Sequence, residues 1–180
     1  MNYEITKVKM GISLALFGVL FGLMIGILLN NHEDSIKNFI NEGIALHPFV
    51  HSDPAASEQK IWQYVQQSYF YATSIATISI ALIVLTMTTA LRTRFKSLTA
   101  ALIGLMNFYP LSWLSMFWLS PDIGIQAAQE HLLTQLTTYS ALIGGIAGIA
   151  LLILHIFFNL FHEKTEYQDN YRRQIVEYKY

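Results

Sequence analysis

The chain has 180 residues, a formal net charge of −1 and no cysteine, and 53% of its residues are hydrophobic. The absence of cysteine excludes disulfides, thiolate-bound metals and c-type haem attachment. A chain this apolar, with long uncharged runs, is typical of integral membrane proteins. We expect no nucleic-acid partner.

Four apolar runs follow one another along the chain, each close to the roughly 20 residues that span about 30 Å of hydrocarbon. Because the bilayer interior offers no water to backbone polar groups, each run must form a helix. The sequence therefore predicts an all-α, polytopic membrane protein with one membrane domain over residues 1–180, a four-transmembrane-helix bundle in the lipid bilayer. The predicted spans are residues 10–29, 68–91, 98–119 and 137–160, with an outer loop at 30–67 and a cytoplasmic tail at 161–180.

Basic residues are distributed unevenly between the connections, and this predicts the orientation in the membrane. They precede the first span, fill the short second connection and follow the last span, whereas the other two connections are mainly acidic. Because cytoplasmic segments are enriched in Lys and Arg, we predict an inner-membrane protein of a bacterium with its N-terminus and C-terminus in the cytoplasm. These basic residues are Lys7, Lys9, Arg92, Arg94, Lys96, Lys164, Arg172, Arg173 and Lys179.

Small residues recur every three or four positions in the first and last spans, so they line one face of each helix. Such faces let two helix backbones approach closely. We predict that they are packing seams, with a ligand groove as the alternative. The pattern leaves open whether the seams join helices of one chain or of neighbouring copies in a homo-oligomer. The small residues are Gly11, Ala15, Gly18, Gly22 and Gly26, then Ala141, Gly144, Gly145 and Gly148.

The third span carries the most polar side chains. Pro110 lacks a backbone N–H, so we predict a kink over residues 106–110. Asn107 falls near the membrane midplane, where an unpaired amide is costly, so it should face a partner or a wet cavity. The first alternative is a hydrogen bond to the second span, and the second makes Asn107 and Tyr109 candidate catalytic residues. The hydroxyls available in the second span belong to Ser74, Thr77 and Ser79.

Histidines mark two further candidate sites. His155 is the only ionisable residue well inside a span, which makes it a candidate cofactor-binding residue, with a packed or interfacial histidine as the alternative. In the outer loop, His47, His51 and Asp53 have the side-chain types of a zinc or copper site. Prolines interrupt that stretch and its spacing is not specific, so we favour solvated loop residues over a metal site.

Two helical segments are predicted within the outer loop. One is a short amphipathic helix that lies on the membrane or over the bundle, indicated by apolar residues at helical spacing. Asp53 followed by Pro54 is typical of a helix start, and this second helix is expected to continue into the second span. The apolar residues of the first segment are Ile36, Phe39, Ile40 and Ile44.

Aromatic residues near the outer ends of the spans predict an interfacial belt that anchors the bundle. In the tail, an apolar face at helical spacing predicts a helix that lies on the membrane surface or docks a partner. The belt residues are Trp62, Tyr64, Tyr69, Tyr71, Trp113, Trp118 and Tyr139, and the tail face consists of Tyr167, Tyr171, Ile175 and Tyr178.

The order of these features resembles the styrene oxide isomerases, which are small bacterial four-helix membrane enzymes. The matching pieces are Gly18 and Gly22 in the first span, Trp62 before the second, Lys96 in the basic connection, residues 104–109, and Ser120-Pro121. The resemblance implies a trimer that uses haem b as a Lewis acid on an epoxide. In the region comparable to the family's haem-ligating histidine this chain has Gln66 and Gln67, and the family's Asn in the second span is not evident. Haem binding and isomerase activity therefore do not carry over.

Three classes of function remain. The favoured class is a small integral membrane subunit or scaffold that assembles through its glycine-rich faces, as a homo-oligomer or in a membrane complex. The second is a membrane-embedded enzyme or haem protein acting on a small apolar substrate, with haem as its cofactor if it is isomerase-like. The third is a transporter or lipid-binding module. The sequence has no intramembrane carboxylate, phosphate-binding glycine loop or nucleophile motif, which disfavours ion-coupled transport and intramembrane proteolysis.

Overall fold

The structure, a computed structural model, describes residues 2–161, and these form seven α-helices and two 3₁₀ turns with no β-strand among them. Four helical segments are long and apolar enough to cross a membrane. The predicted all-helical class and the number of helical segments long and apolar enough to span are therefore confirmed. The tail helix predicted around Tyr167–Tyr178 lies outside the described residues.

The helices occupy more of the chain than the predicted spans. Two spans were nevertheless predicted too long at their ends: α3 stops at Thr88 because Thr89 is extended, and α7 stops at Phe158 because Asn159 adopts a left-handed conformation with φ 54°. The helices are α1 (Asn2–Asn31), α2 (Glu33–Leu46), α3 (Pro54–Thr88), α4 (Thr93–Leu105), α5 (Tyr109–Ile123), α6 (Ile125–Glu130) and α7 (Leu132–Phe158). The 3₁₀ turns are Pro48–Val50 and Met106–Phe108.

The third segment of membrane-spanning length is two helices, α4 and α5, joined by the Met106–Phe108 turn. This interruption lies where the kink was predicted, because Pro110 has no N–H to continue the α-helical bonding. The Tyr109 N–H donates to the Met106 carbonyl and closes the turn. Ser68 Oγ on α3 donates to the Pro110 carbonyl at 2.9 Å, so α3 holds the start of α5 in place.

The break gives the two halves of the third segment different neighbours. α4 packs against α1 and α7, whereas α5 packs against α3 and α7. We call the end of the bundle that carries α2 the α2 end, and the opposite end the Lys96 end. A larger apolar core lies at the α2 end around Ile61 and Phe117, and a smaller one at the Lys96 end around Ile83 and Ile103.

The outer loop folds onto the bundle. α2 buries Ile40 and Ile44, and its Gly43 lies against Pro121 of α5, so this amphipathic helix packs over the bundle. The predicted start of α3 is also confirmed, because Asp53 Oδ1 accepts a hydrogen bond from the Ala56 N–H at 3.1 Å.

The glycine seams join helices within this one chain. On α1, Gly11 lies against the Ala100 backbone, Gly18 against Asn107 and Gly26 against the Tyr69 ring. The seam of α7 meets α4 and the following turn. There Gly144 faces Leu102 and Leu105, Gly145 faces Met106 and Gly148 faces Ile103, while Ala15 and Ala141 are buried alongside.

Candidate functional site

Asn107 joins three helical segments at the centre of the bundle. Only 1% of its surface is exposed. Its Nδ2 donates to Ser79 Oγ on α3 at 3.1 Å and to the Gly104 carbonyl at 3.0 Å. Its Oδ1 lies against Gly18 of α1, so closely that a Cβ at that glycine would overlap it. The predicted hydrogen bond to the second span is confirmed, with Ser79 as the partner.

The close contact between Asn107 and Gly18 leaves no space for a ligand on that side of the amide. Within residues 4–161, Oδ1 is buried and accepts no hydrogen bond. Both protons of Nδ2 are used by protein acceptors. Asn107 is therefore arranged as a packing contact between helices, and its candidate catalytic role stays a prediction.

Tyr109 lies in an aromatic cluster between α3 and α5. Its ring meets Tyr71 edge-on with centroids 5.0 Å apart, and Tyr71 stacks on Trp113 at 5.7 Å. Tyr64 also packs against Trp113, with ring centroids 5.7 Å apart, and its hydroxyl accepts a hydrogen bond from Gln129 Nε2 at 2.8 Å. The predicted interfacial position is wrong for Tyr64, which is fully buried. Aromatic composition alone does not separate a belt from an interior cluster.

His155 secures the end of α7. Its Nδ1 lies 2.7 Å from the Leu160 carbonyl, and since a carbonyl only accepts, Nδ1 carries the proton. The same turn is held by the Arg92 N–H, which donates to the Phe161 carbonyl at 2.9 Å, and by stacking of Phe161 on Phe95. With 6% of its surface exposed, His155 is packed against its neighbours. Its candidate role in binding a cofactor stays a prediction.

The three candidate metal ligands of the outer loop make separate contacts. His51 is buried, so the prediction that it is solvated is wrong, and its Nε2 lies 3.0 Å from the Pro121 carbonyl. His47 Nε2 lies 3.9 Å from Asp122 Oδ1. Asp53 caps α3. Across the part of the chain that the structure describes, no group of three or more His, Cys, Asp or Glu side chains is placed to hold a metal ion.

Sequence reasoning missed a buried charge at the Lys96 end. Lys96, in a connection predicted to lie in the cytoplasm, is 4% exposed, and its Nζ donates to Glu4 Oε2 at 2.7 Å and to the Met87 carbonyl at 3.1 Å. Lys7 Nζ lies 2.7 Å from the other Glu4 oxygen. The ion group ties the start of α1 to the α3–α4 connection. The pattern Glu4-x-x-Lys7 is typical of the ion pair within α1, but nothing in the sequence indicated that Lys96 joins it.

A second polar group that the sequence did not reveal joins α5 to α7. Ser115 Oγ and Thr134 Oγ1 are 2.7 Å apart and both are buried, and Thr134 Oγ1 also lies 2.8 Å from the Ala128 carbonyl. These hydroxyls satisfy one another across the helix contact. Like Asn107, they are used in packing.

Two apolar grooves open on the sides of the bundle near the α2 end. The larger, of about 430 Å³, lies between α1 and α5 beneath α2, and we call it the α1–α5 groove. The smaller, of about 310 Å³, lies between α5 and α7. Neither Asn107 nor Tyr109 lines either groove.

The rim of the α1–α5 groove carries the polar residues where α1 passes into α2. His32 and Ser35 line the groove there, and both are exposed. Close by, Lys37 Nζ donates to Glu33 Oε1 at 2.6 Å, and this hydrogen bond raises the pKa of Lys37. Lys37 therefore stays protonated at physiological pH, paired with an acidic neighbour.

Comparison with protein-family models, curated proteins and solved structures finds no match to this chain. Function therefore has to be argued from the chain's own residues. The resemblance to styrene oxide isomerases stays a prediction based on sequence order alone.

Proposed function

We propose that the chain is a small integral membrane subunit or scaffold, acting by association with other polypeptides or with further copies of itself. The observation that carries this proposal is a set of three polar contacts that involve buried side chains and link helical segments. Asn107 bonds Ser79, Ser115 bonds Thr134, and Lys96 bonds Glu4. Each pair joins two different helical segments, so the polar chemistry of the interior serves assembly of the bundle.

Association between chains would use the outward faces of the helices. The glycine faces on which the sequence-based prediction relied are occupied inside the bundle by Ala100, Asn107 and Ile103. Large apolar side chains such as Leu20, Ile146 and Phe157 are exposed and offer surface both to lipid and to other spanning helices.

The isomerase-like alternative has no observation in its favour. An enzyme of that kind needs polar groups that converge on a pocket able to hold the substrate. Asn107 and Tyr109 line neither apolar groove, and Asn107 already directs both donors to protein atoms. We therefore keep the scaffold interpretation as the proposed function.

Association is tested by co-expressing two full-length copies with different affinity tags and purifying through one tag in mild detergent. We expect the second tag, or one further polypeptide in fixed stoichiometry, to co-elute. Mixing separately solubilised membranes before purification is the control, since it removes association that forms only in detergent. Elution of a single chain alone would overturn the proposal.

We further propose insertion in a bacterial inner membrane with the Lys96 end in the cytoplasm. Lys7, Arg92 and Arg94 cluster at that end, and the acidic Glu33, Asp53 and their neighbours lie at the other, as the charge bias of membrane proteins predicts. Because the chain lacks cysteine, single cysteines report the orientation without background.

The matched pair for this test is Ser52→Cys and Ser97→Cys, two exposed serines at opposite ends of the bundle. We expect a membrane-impermeant thiol reagent to label Ser52→Cys in intact spheroplasts and Ser97→Cys only after permeabilisation. The reverse pattern would invert the orientation, and equal labelling of both would contradict membrane insertion.

A further inference from the structure

The α1–α5 groove is a consequence of the break in the third spanning segment. Before the turn, α4 packs against α1 and α7, and after it α5 packs against α3 and α7 and makes little contact with α1. α1 and α5 therefore separate toward the α2 end, and the space between them is the groove of about 430 Å³. Buried Ile25, Val65 and Phe117 form its floor, and Phe39 of α2 contributes to its roof.

The walls of the groove are almost entirely apolar, and polar residues line it only at the rim beside α2. Its mouth is framed by Met24 and Trp118, which are 52% and 63% exposed. The polar side chains that line it are His32 and Ser35, both at the rim beside α2. A matching occupant is long and apolar with a polar group at one end.

Water is unsuited to the body of the groove because a bound water needs two or more polar partners. An empty groove would leave its apolar walls without contacts, which is also unfavourable. A groove on the side of a bundle that spans a membrane would face the bilayer. The acyl chains of lipids are therefore the apolar groups available to fill it.

The dimensions favour a lipid chain over a helix from another protein. A helix with its side chains is about 10 Å across, so roughly 430 Å³ corresponds to about one helical turn. Seating a longer stretch of helix would require α2 to leave the bundle, against which its Ile40 and Gly43 are packed. An acyl chain is a single file of methylenes and can follow the groove beneath α2.

We propose that the α1–α5 groove binds one acyl chain of a bilayer phospholipid, with the phospholipid headgroup beside His32 and Ser35. The imidazole and the hydroxyl can both donate hydrogen bonds to phosphate or ester oxygens. The lipid fills the space that the break in the third segment opens and supports α2 from below. This proposal does not depend on the scaffold function.

The test is native mass spectrometry of the full-length chain, reconstituted in vesicles of palmitoyl-oleoyl phosphatidylethanolamine and phosphatidylglycerol and then extracted in mild detergent. We expect one phospholipid to be retained per chain. Met24→Trp places a bulky ring at the exposed mouth and should reduce the retained fraction at least fivefold. Leu20→Trp, one turn away on the exposed surface of the same helix, is the matched control and should retain lipid as the wild type does.

The headgroup contact is tested separately by the double variant His32→Ala, Ser35→Ala, for which we expect about a threefold loss of retained phospholipid. Both residues are exposed, so this variant leaves the core unchanged. The proposal is overturned if the wild type retains no phospholipid, or if Met24→Trp retains as much as Leu20→Trp. It is also overturned if the wild type forms a lipid-free dimer that Met24→Trp abolishes, since a second copy would then occupy the groove.

Discussion

The contact between Asn107 and Ser79 best explains what holds the centre of the bundle together. Each of the substitutions Asn107→Ala and Ser79→Ala removes the same hydrogen bond between α3 and the third segment. Hydrogen bonds between membrane helices have modest strength, so a double-mutant cycle should give a coupling of about 0.5–1.5 kcal/mol. Unfolding of the purified protein in SDS is the measurement.

Thr77→Val is the control for that cycle, because the Thr77 hydroxyl bonds the Thr73 carbonyl of its own helix. Paired with Asn107→Ala, it should show no coupling. A coupling between Asn107 and Ser79 no larger than in this control pair would contradict the central hydrogen bond.

Lys96 allows a second prediction, on buried charge. Glu4→Gln removes the negative charge that pairs with the buried Lys96 ammonium and leaves it only neutral acceptors such as the Met87 carbonyl, whereas Lys96→Met removes the buried charge itself. A buried ion without its partner is more unfavourable than an apolar side chain of similar size. We therefore expect Glu4→Gln to lower the thermal midpoint in detergent more than Lys96→Met does.

Lys9 lies on α1 like Glu4, but it is exposed. Lys9→Met therefore serves as the reference and should leave the thermal midpoint unchanged. A larger loss of thermal midpoint for Lys96→Met than for Glu4→Gln would contradict this prediction. It would mean that the ion pair stabilises the fold by more than the burial of the Lys96 charge destabilises it.

The contact between α1 and α4 is the element-scale feature that depends most on glycine. A Cβ at Gly11 would overlap the backbone carbonyl of Ala100, which cannot move without moving α4. A Cβ at Gly22 would meet the Thr73 methyl at 3.1 Å and the Ala72 methyl at 3.2 Å, and both helices could adjust by a few tenths of an ångström.

We predict that Gly11→Ala lowers the free energy of unfolding by about 1–3 kcal/mol, the usual range for overpacking. Gly22→Ala should be close to neutral, because alanine's better helix propensity offsets the tighter contact. Unfolding titrations of both variants under the same conditions measure the difference. Equal changes in the free energy of unfolding for the two variants would mean that α1 and α4 are less closely packed than described.

Sequence patterns predicted the positions of the helices well, but they did not predict which helices pack against one another. The four spans, α2 and the Asp53 cap follow from rules that act locally, such as hydrocarbon thickness and the preference of Asp for helix starts. The faces that meet could not be assigned, because small residues on α1 and α7 would fit several neighbours. Only the fold reveals that Gly11 meets Ala100.

The same limit applies to the candidate site. The hydrogen bond of Asn107 was predictable because an amide in an apolar span needs a partner, and Ser79 was among three candidates. The burial of Lys96 and Tyr64 was not predictable, since a basic connection and an aromatic belt have the same composition whether they face solvent, lipid or protein.

The whole molecule combines an interior whose polar groups are used in packing with an exterior that is apolar around its length. Asn107, Ser115 and Lys96 each connect segments of the chain. Exposed Leu20, Ile146 and Phe157 lie on the outer surface of the spanning helices. We propose that such a bundle contacts other molecules through its outer surface, and the scaffold proposal rests on this.

Native mass spectrometry of the untagged full-length protein, extracted from its own membrane in mild detergent, tests that claim most directly. It reports copy number, partner polypeptides and retained small molecules in one spectrum. We predict a complex of two or more polypeptides in fixed stoichiometry, with phospholipid as the small molecule retained. A single chain, or a chain carrying haem or another cofactor in a one-to-one ratio, would contradict the account.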